Sequence, residues 1–232
     1  VAGTVGAPAW EIAHVLSSAP HEAAEALARH ADERERLGVA PDEVVAELLA
    51  LGRLLDRRGD HRARSALDAA VAAYVARVTG ELAERARRDS LTGVLNHAAF
   101  HSHLSSETAR ARRYGGRLAL ALFDLDRFKE TNDRQGHQEG DRLLRTFAAA
   151  LAATIRETDA VGRLGGDEFG ALLLETDERR LAAFLDRLFE CLPPEVAVSA
   201  GAAFFPAEAA AADELVALAD RRLYARKAAR AA

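Results

Sequence analysis

Two short apolar runs, Ala160–Leu164 and Phe169–Leu174, are separated only by Gly165-Gly166-Asp167-Glu168. Runs of this length closed by a glycine-rich turn predict two strands joined as a β-hairpin. Further short runs fall on either side. Leu118–Phe123 (LALALF) lies between glycines and Asp124 and reads as a buried strand, and Val196–Phe205 reads as another. Helical patterns occupy 97–113, Glu139–Ile155, Asp177–Phe189 and Asp213–Ala229. Helices alternating with strands, plus one hairpin, predict an α+β fold in which a sheet is covered by helices on at least one face.

Upstream the texture differs. Residues 10–85 carry no convincing strand. Helices are expected at Trp10–Leu16 and Ala23–Arg36, and a third starts at Pro41-Asp42-Glu43, where acids meet the positive end of the helix dipole. Val44, Val45, Leu48, Leu49 and Leu51 give it an apolar stripe at helical spacing. After a break at Gly59-Asp60, a long helix begins near Ala63. Its Val71, Val75, Val78 and Leu82 step by four, three and four as a short heptad-like seam. That helix runs into the charged stretch Glu84–Arg88. Two parts follow: an N-terminal α-helical bundle with an exit helix, residues 1–85, and a second domain, residues 86–232.

A chain of 232 residues accommodates one large domain or two small ones. The net charge of −5 argues against a general nucleic-acid binder. The lone Cys191 excludes an intramolecular disulfide and fits a reducing, cytoplasmic setting; it reads as a buried, inert thiol. No apolar stretch approaches the roughly 18 residues that span a bilayer. The sequence contains no methionine, so it reads as a piece of something longer, with an N-terminal module missing. His14, His21 and His30 invite a haem hypothesis, but surface histidines are commoner and the segment is short for a globin.

The acids carry the chemistry. Asp124 closes the first strand, Asp126 follows, and Asp167 and Glu168 sit on the hairpin. Were the two strands neighbours, three or four carboxylates would meet and repel unless a hard cation neutralised them. Oxygen ligands in low number suit Mg²⁺, which completes its shell with water and substrate phosphate. Two such ions can activate an attacking oxygen and stabilise a leaving one. Taken alone, Asp167-Glu168 also reads as a solvated acidic turn. Between Phe123 and Leu144 lie Lys129, Asn132, Asp133, His137 and Asp141, with Gly136 and Gly140 among them. An amide and a carboxylate at Asn132 and Asp141 suit the edge of guanine, whose N1–H and amino group donate where adenine N1 accepts. Asp133 reads instead as turn or cap chemistry.

Taken together, LTGVLN, FDLDRFKETND, GHQEGD, RLGGDEFG, SAGAAFFP and ADRRLYARK resemble the successive signatures of the GGDEF family, the diguanylate cyclases that fuse two GTP into cyclic di-GMP. The resemblance covers about residues 89–230 and implies a central sheet flanked by helices, like the palm of nucleotidyl cyclases and polymerases. Carried over residue by residue, it implies that Asp124 and Asp167 hold Mg²⁺ (or Mn²⁺) with the Leu125 carbonyl. Glu168 then lies beside the metals and helps to deprotonate the attacking 3′-hydroxyl. Asn132 and Asp141 read guanine, and Lys129 and Lys227 meet the phosphates. Phe128 and the backbone of Gly165 and Gly166 let the triphosphate lie on the hairpin. His137 matches a motif histidine, as a ligand contact or a turn-fixing group, and Gly93 and Asn96 tie the incoming helix to the domain.

Arg156 and Asp159 keep the family's R-x-x-D pattern, the inhibitory product site, and Arg187 is a further arginine for it. The chain departs from the family at His97, where arginine is common, and at Arg230, which comes one place early for a phosphate ligand. The reaction needs two GTP-loaded domains face to face, so a homodimer is expected, paired by the exit helix. The alternative is a catalytically weak module that binds GTP or cyclic di-GMP as a receptor.

Overall fold

The computed structural model describes residues 23–58 and 61–231. The expected helix at Trp10–Leu16, the break at Gly59-Asp60, and His14 and His21 lie outside the described residues. Contacts divide the chain into two compact units between Ala86 and Arg87.

The first unit consists of α1 (Ala23–Arg36), α2 (Pro41–Arg58) and α3 (His61–Ala86). Pro41 opens α2, where its missing N–H costs nothing, and Asp42 and Glu43 follow in the first turn. Leu27, Ala31, Val44, Leu48 and Leu51 bury against Ala63, Leu67, Ala70 and Tyr74 of α3. The buried line of α3 therefore runs one residue ahead of the expected seam, which is split. Val71 and Val78 pack on the margin of this core. Val75 and Leu82, seven apart, remain 39% and 55% exposed. Tyr74 fixes the register: its hydroxyl donates to Glu35 at 3.0 Å, and burial followed by that bond pushes its pKa up to about 12. His30 is buried here, with Nε2 3.4 Å from Glu47.

The second unit begins with α4 (His97–Tyr114), capped by the Asn96 side chain, which accepts from the Ala99 N–H. Then follow β1 (Leu118–Leu125), α5 (Phe128–Gln135), α6 (His137–Thr154), β2 (Ala160–Arg163), β3 (Glu168–Leu174), α7 (Glu178–Cys191), β4 (Val198–Phe205) and α8 (Ala212–Ala231). The sheet order is β2-β3-β1-β4, and each pairing is antiparallel. The hairpin is β2–β3, and the LALALF run is a central strand.

That run is apolar throughout because both faces of the sheet are covered. Ala119, Ala121, Phe123 and Leu125 point to one core, with Phe147, Leu151, Phe169 and Phe184 under α6 and α7. Leu118, Leu120 and Leu122 point to the other, with Phe100 and Leu104 of α4 and Leu215, Ala219 and Leu223 of α8. Alternation along a strand assigns the two sets. On the second face α8 lies directly on the backbone of β4. A Cβ at Gly201 would fall 2.2 Å from Leu223 N and 2.3 Å from Ala219 O, so any side chain there must push the helix away. Cys191, expected to be buried, is exposed at the end of α7. The helix α5 was not predicted; none of its residues is buried, so it has no apolar stripe to betray it. Among the described residues, no helix is long and apolar enough to cross a membrane.

Candidate active site

The centre of the sheet delivers its acids to one end. Asp124 pairs in register with Glu168 of β3 on one side and Ser199 of β4 on the other. The Leu125 N–H donates to the Asp167 carbonyl at 3.3 Å, tying the hairpin turn to the end of β1. The Asp124 side chain is 6% exposed, and Lys227 Nζ of α8 stands 2.6 Å from its Oδ2. Burial pushes the Asp124 carboxyl up, the Lys227 bond pulls it down, and Asp167 and Asp126 push it up again. Asp126 is held by Ser199 Oγ at 2.6 Å and by Arg230 at 2.5 Å.

Asp124 and Asp126 each carry a cationic partner, Lys227 and Arg230. Among the described residues, no three Asp, Glu, His or Cys side chains form a ready metal cluster. Like charges near a buried position repel, and the cationic ends of α8 neutralise them pairwise instead. The donor set still fits a hard cation. Asp124 and Asp167 offer carboxylate oxygens, the Asp167 charge raises the cost of ionising Asp124, and the exposed Glu168 follows directly. A divalent ion would relieve what one lysine now partly offsets.

Beside the acids lies a second constellation. Asn132 Oδ1 on α5 is buried and has no hydrogen-bond partner. It occupies the notch of Gly140, where a Cβ would lie 2.0 Å from that oxygen and 3.1 Å from the Phe128 ring. Asp141 follows, half-buried, with Oδ2 3.8 Å from Arg145. Lys129 is exposed on the first turn of α5, and His137 is exposed at the start of α6. Gly165 and Gly166 are exposed in the turn, and the Glu168 carboxylate folds back over Gly165, 3.1 Å from where a Cβ would stand.

Sequence reasoning missed Asp89 and Arg163. Arg163 donates to the Gly166 carbonyl from Nε at 3.1 Å and Nη2 at 2.6 Å, and its Nη1 reaches Asp89 at 3.2 Å. Burial of Asp89 is outweighed by bonds from Thr92 and Arg163, which hold its carboxyl below the usual range. The glycine turn is thereby braced to the segment that enters the unit. The local signals were an arginine two residues before the glycines and an Asx-turn pattern, Asp89 to Thr92; neither shows the pairing.

On the far side of β3, Arg156, Asp159 and Arg187 line one cavity with Thr154, Thr176 and Arg180. Asp159 is fixed by backbone: Oδ1 accepts from Leu174 N–H at 3.0 Å and Oδ2 from Arg156 N–H at 3.1 Å. Arg180 was not anticipated; it sits on α7 about two turns before Arg187 and donates to the Glu175 carbonyl at 2.5 Å.

The sequence profile described as diguanylate cyclase, GGDEF domain, matches residues 86–232. The chain belongs to the GGDEF family. Among curated GGDEF relatives, the diguanylate cyclase TpbB of Pseudomonas aeruginosa is 40% identical over 137 residues, 57% of this chain and 29% of its own length. The chain spans about a third or less of the length of the first curated relatives it matches. Of the solved structures, the coiled coil and GGDEF domain of DgcB from Caulobacter crescentus, in complex with c-di-GMP, superposes with a TM-score of 0.65. Identity is 27%, covering 72% of this chain and 94% of that one. Diguanylate cyclase SiaD of P. aeruginosa, solved with its activator SiaC, is 25% identical with a TM-score of 0.58 and covers 95% of this chain and 94% of its own.

Proposed function

We propose that this chain is a Mg²⁺-dependent diguanylate cyclase that condenses two GTP into cyclic di-GMP and two pyrophosphates across a homodimer. The observation that carries the reading is the register that sets Asp124 opposite Glu168, together with the buried, unpartnered Asn132 acceptor on α5, the helix that follows β1. Asp124, Asp167 and the Leu125 carbonyl would hold the divalent ion, Mg²⁺ or Mn²⁺, with Glu168 beside it. When bound, that ion offsets charge on the triphosphate and favours ionisation of the attacking hydroxyl. Glu168 is placed to take the proton of the 3′-hydroxyl as it attacks the α-phosphate of the other GTP and pyrophosphate leaves. Lys227 leaves Asp124 for the phosphates, and Lys129, free to swing on α5, meets them from the other side. Phe128, Gly165, Gly166 and His137 line the approach.

Asn132 and Asp141 read the base. An acceptor already desolvated in the Gly140 notch loses nothing further on meeting a guanine amino group, whereas adenine presents an acceptor to Asp141. The chain with GTP and Mg²⁺ should therefore yield cyclic di-GMP, and ATP should not replace GTP. Asn132→Ala and Asp141→Ala should each weaken GTP binding by about 1–3 kcal/mol and relax base choice. Unchanged GTP/ATP discrimination in both variants would remove the base-reading role. GTP or cyclic di-GMP binding without any product would favour the receptor alternative.

The arginine-lined cavity supports a product-inhibition site. Arg156 and Arg187 offer forked donors to phosphate or guanine O6 and N7, and Asp159 is held in place for an N–H donor. Cyclic di-GMP should inhibit the wild type, and Arg156→Ala should relieve inhibition with uninhibited turnover unchanged. Equal inhibition curves for the two proteins would place regulation elsewhere.

A further inference from the structure

The buried apolar contacts of α8 end at Leu223; from Tyr224 to Arg230 no described residue is buried. Its last two turns would fray without another attachment, since helix ends with few buried contacts open readily. Two polar attachments are found there among the described residues, Lys227 Nζ to Asp124 Oδ2 at 2.6 Å and a second one through Arg230. Arg230 Nη1 donates to Asp126 Oδ2 at 2.5 Å and to the Val198 carbonyl at 2.9 Å. The other oxygen of Asp126 accepts from Ser199 Oγ at 2.6 Å, and Ser199 is only 2% exposed. The Asp126 N–H donates to the Ala197 carbonyl at 2.9 Å. Both carboxylate oxygens of Asp126 are thus engaged, one by β4 and one by α8, although the residue stands only two places beyond Asp124.

We infer that Asp126, Ser199 and Arg230 form a clasp that holds the end of α8 on the carboxyl end of β1, making Arg230 a positioning residue for Lys227. Residues three apart on a helix share a face, so fixing Arg230 fixes the turn of α8 from which Lys227 reaches. The Lys227 ammonium lies 2.6 Å from Asp124 Oδ2. The guanidinium suits this work because its Nη1 carries two N–H donors and so serves a carboxylate and a carbonyl together, and its charge complements the negative end of the helix dipole. Asp126, with both oxygens taken, orients α8 and is not a cation ligand. The clasp stands on its own contacts; its effect on GTP handling rests on the cyclase reading.

The test is a cycle on the full chain: wild type, Arg230→Ala, Asp126→Asn and the double variant. In nucleotide-free protein, amide exchange over residues 224–231 should quicken in both single variants. In turnover assays each should raise the KM for GTP by roughly 3–10-fold while kcat stays within about 2-fold, and the double variant should be no worse than the worse single one, as for residues acting as one unit. The Mg²⁺ concentration giving half-maximal rate should not move in Asp126→Asn. Additive losses, a silent Asp126→Asn beside a damaged Arg230→Ala, or a raised Mg²⁺ requirement would overturn the clasp and make Arg230 a direct phosphate contact or Asp126 a metal ligand. Faster exchange in both variants of a chain that makes no cyclic di-GMP would uphold the clasp and remove the cyclase reading. Unchanged exchange with normal wild-type turnover would do the reverse.

Discussion

Asp167→Ala should lower the rate of cyclic di-GMP formation at least ~100-fold, the loss expected when a group that stabilises developing charge is removed from a transition state. The carboxylate is on an exposed hairpin turn, yet its charge is felt by the buried Asp124, where it opposes ionisation. A fold does not place a second acid there for stability; the arrangement is costly until a cation arrives. Removing the side chain should therefore leave folding intact or improve it. The turn itself is held by backbone, through the Leu125 N–H to the Asp167 carbonyl and through Arg163 to the Gly166 carbonyl. Both survive the substitution. The measurement is initial rate at saturating GTP over a Mg²⁺ series, with the thermal midpoint recorded for each protein. A folded variant with near-normal turnover would show that Asp167 is not part of the metal site.

The elements most legible in the sequence were those whose burial follows a period. LALALF alternates between two cores, and the hairpin is announced by four turn residues between two apolar runs. α5 was not legible, because a helix with no buried residue carries no periodic signal and is set by its neighbours. In α3 the valine series drew attention, but the buried line is Ala63, Leu67, Ala70 and Tyr74, three of them small or amphipathic residues that a hydrophobicity pattern undervalues. The candidate site was legible as residue types and motif order. The pairing of Asp124 with Lys227 and of Asp126 with Arg230 was not, since it depends on how far α8 reaches across β4. That reach is decided by the missing side chain at Gly201, which nothing in the local pattern marks. Asp89 and Arg163 were overlooked for a related reason: they are 74 residues apart and meet only through the fold.

Removing residues 1–85 should give a GGDEF domain that folds but whose specific activity climbs steeply with protein concentration, while the full chain keeps constant turnover per subunit on dilution. The second unit should survive the cut, because both of its cores are made of residues between 91 and 223. On the proposed cyclase reading the chemistry is bimolecular in domains, since each 3′-hydroxyl would attack a phosphate carried by the other. Holding two domains together replaces a diffusive encounter by a local one, an advantage that reaches effective molarities of about 10⁵ M or more in well-oriented systems, though flexible pairing captures only a part. The surface available for pairing is narrower than the four-residue seam suggested. Val71 and Val78 are engaged with their own bundle, which leaves Val75 and Leu82, one heptad apart and exposed. Two such residues form a small patch, so charge placed there should matter more than truncation of a methyl group. Val75→Glu with Leu82→Glu, which lie outside the bundle core, should reproduce the concentration dependence of the truncated chain. Sedimentation of all three proteins at micromolar concentration, beside rates measured on the same dilution series, decides the matter. A monomeric full chain with constant turnover per subunit would show that the helical unit does not pair the domains, and a dimeric double variant with undiminished activity would move the pairing surface away from α3.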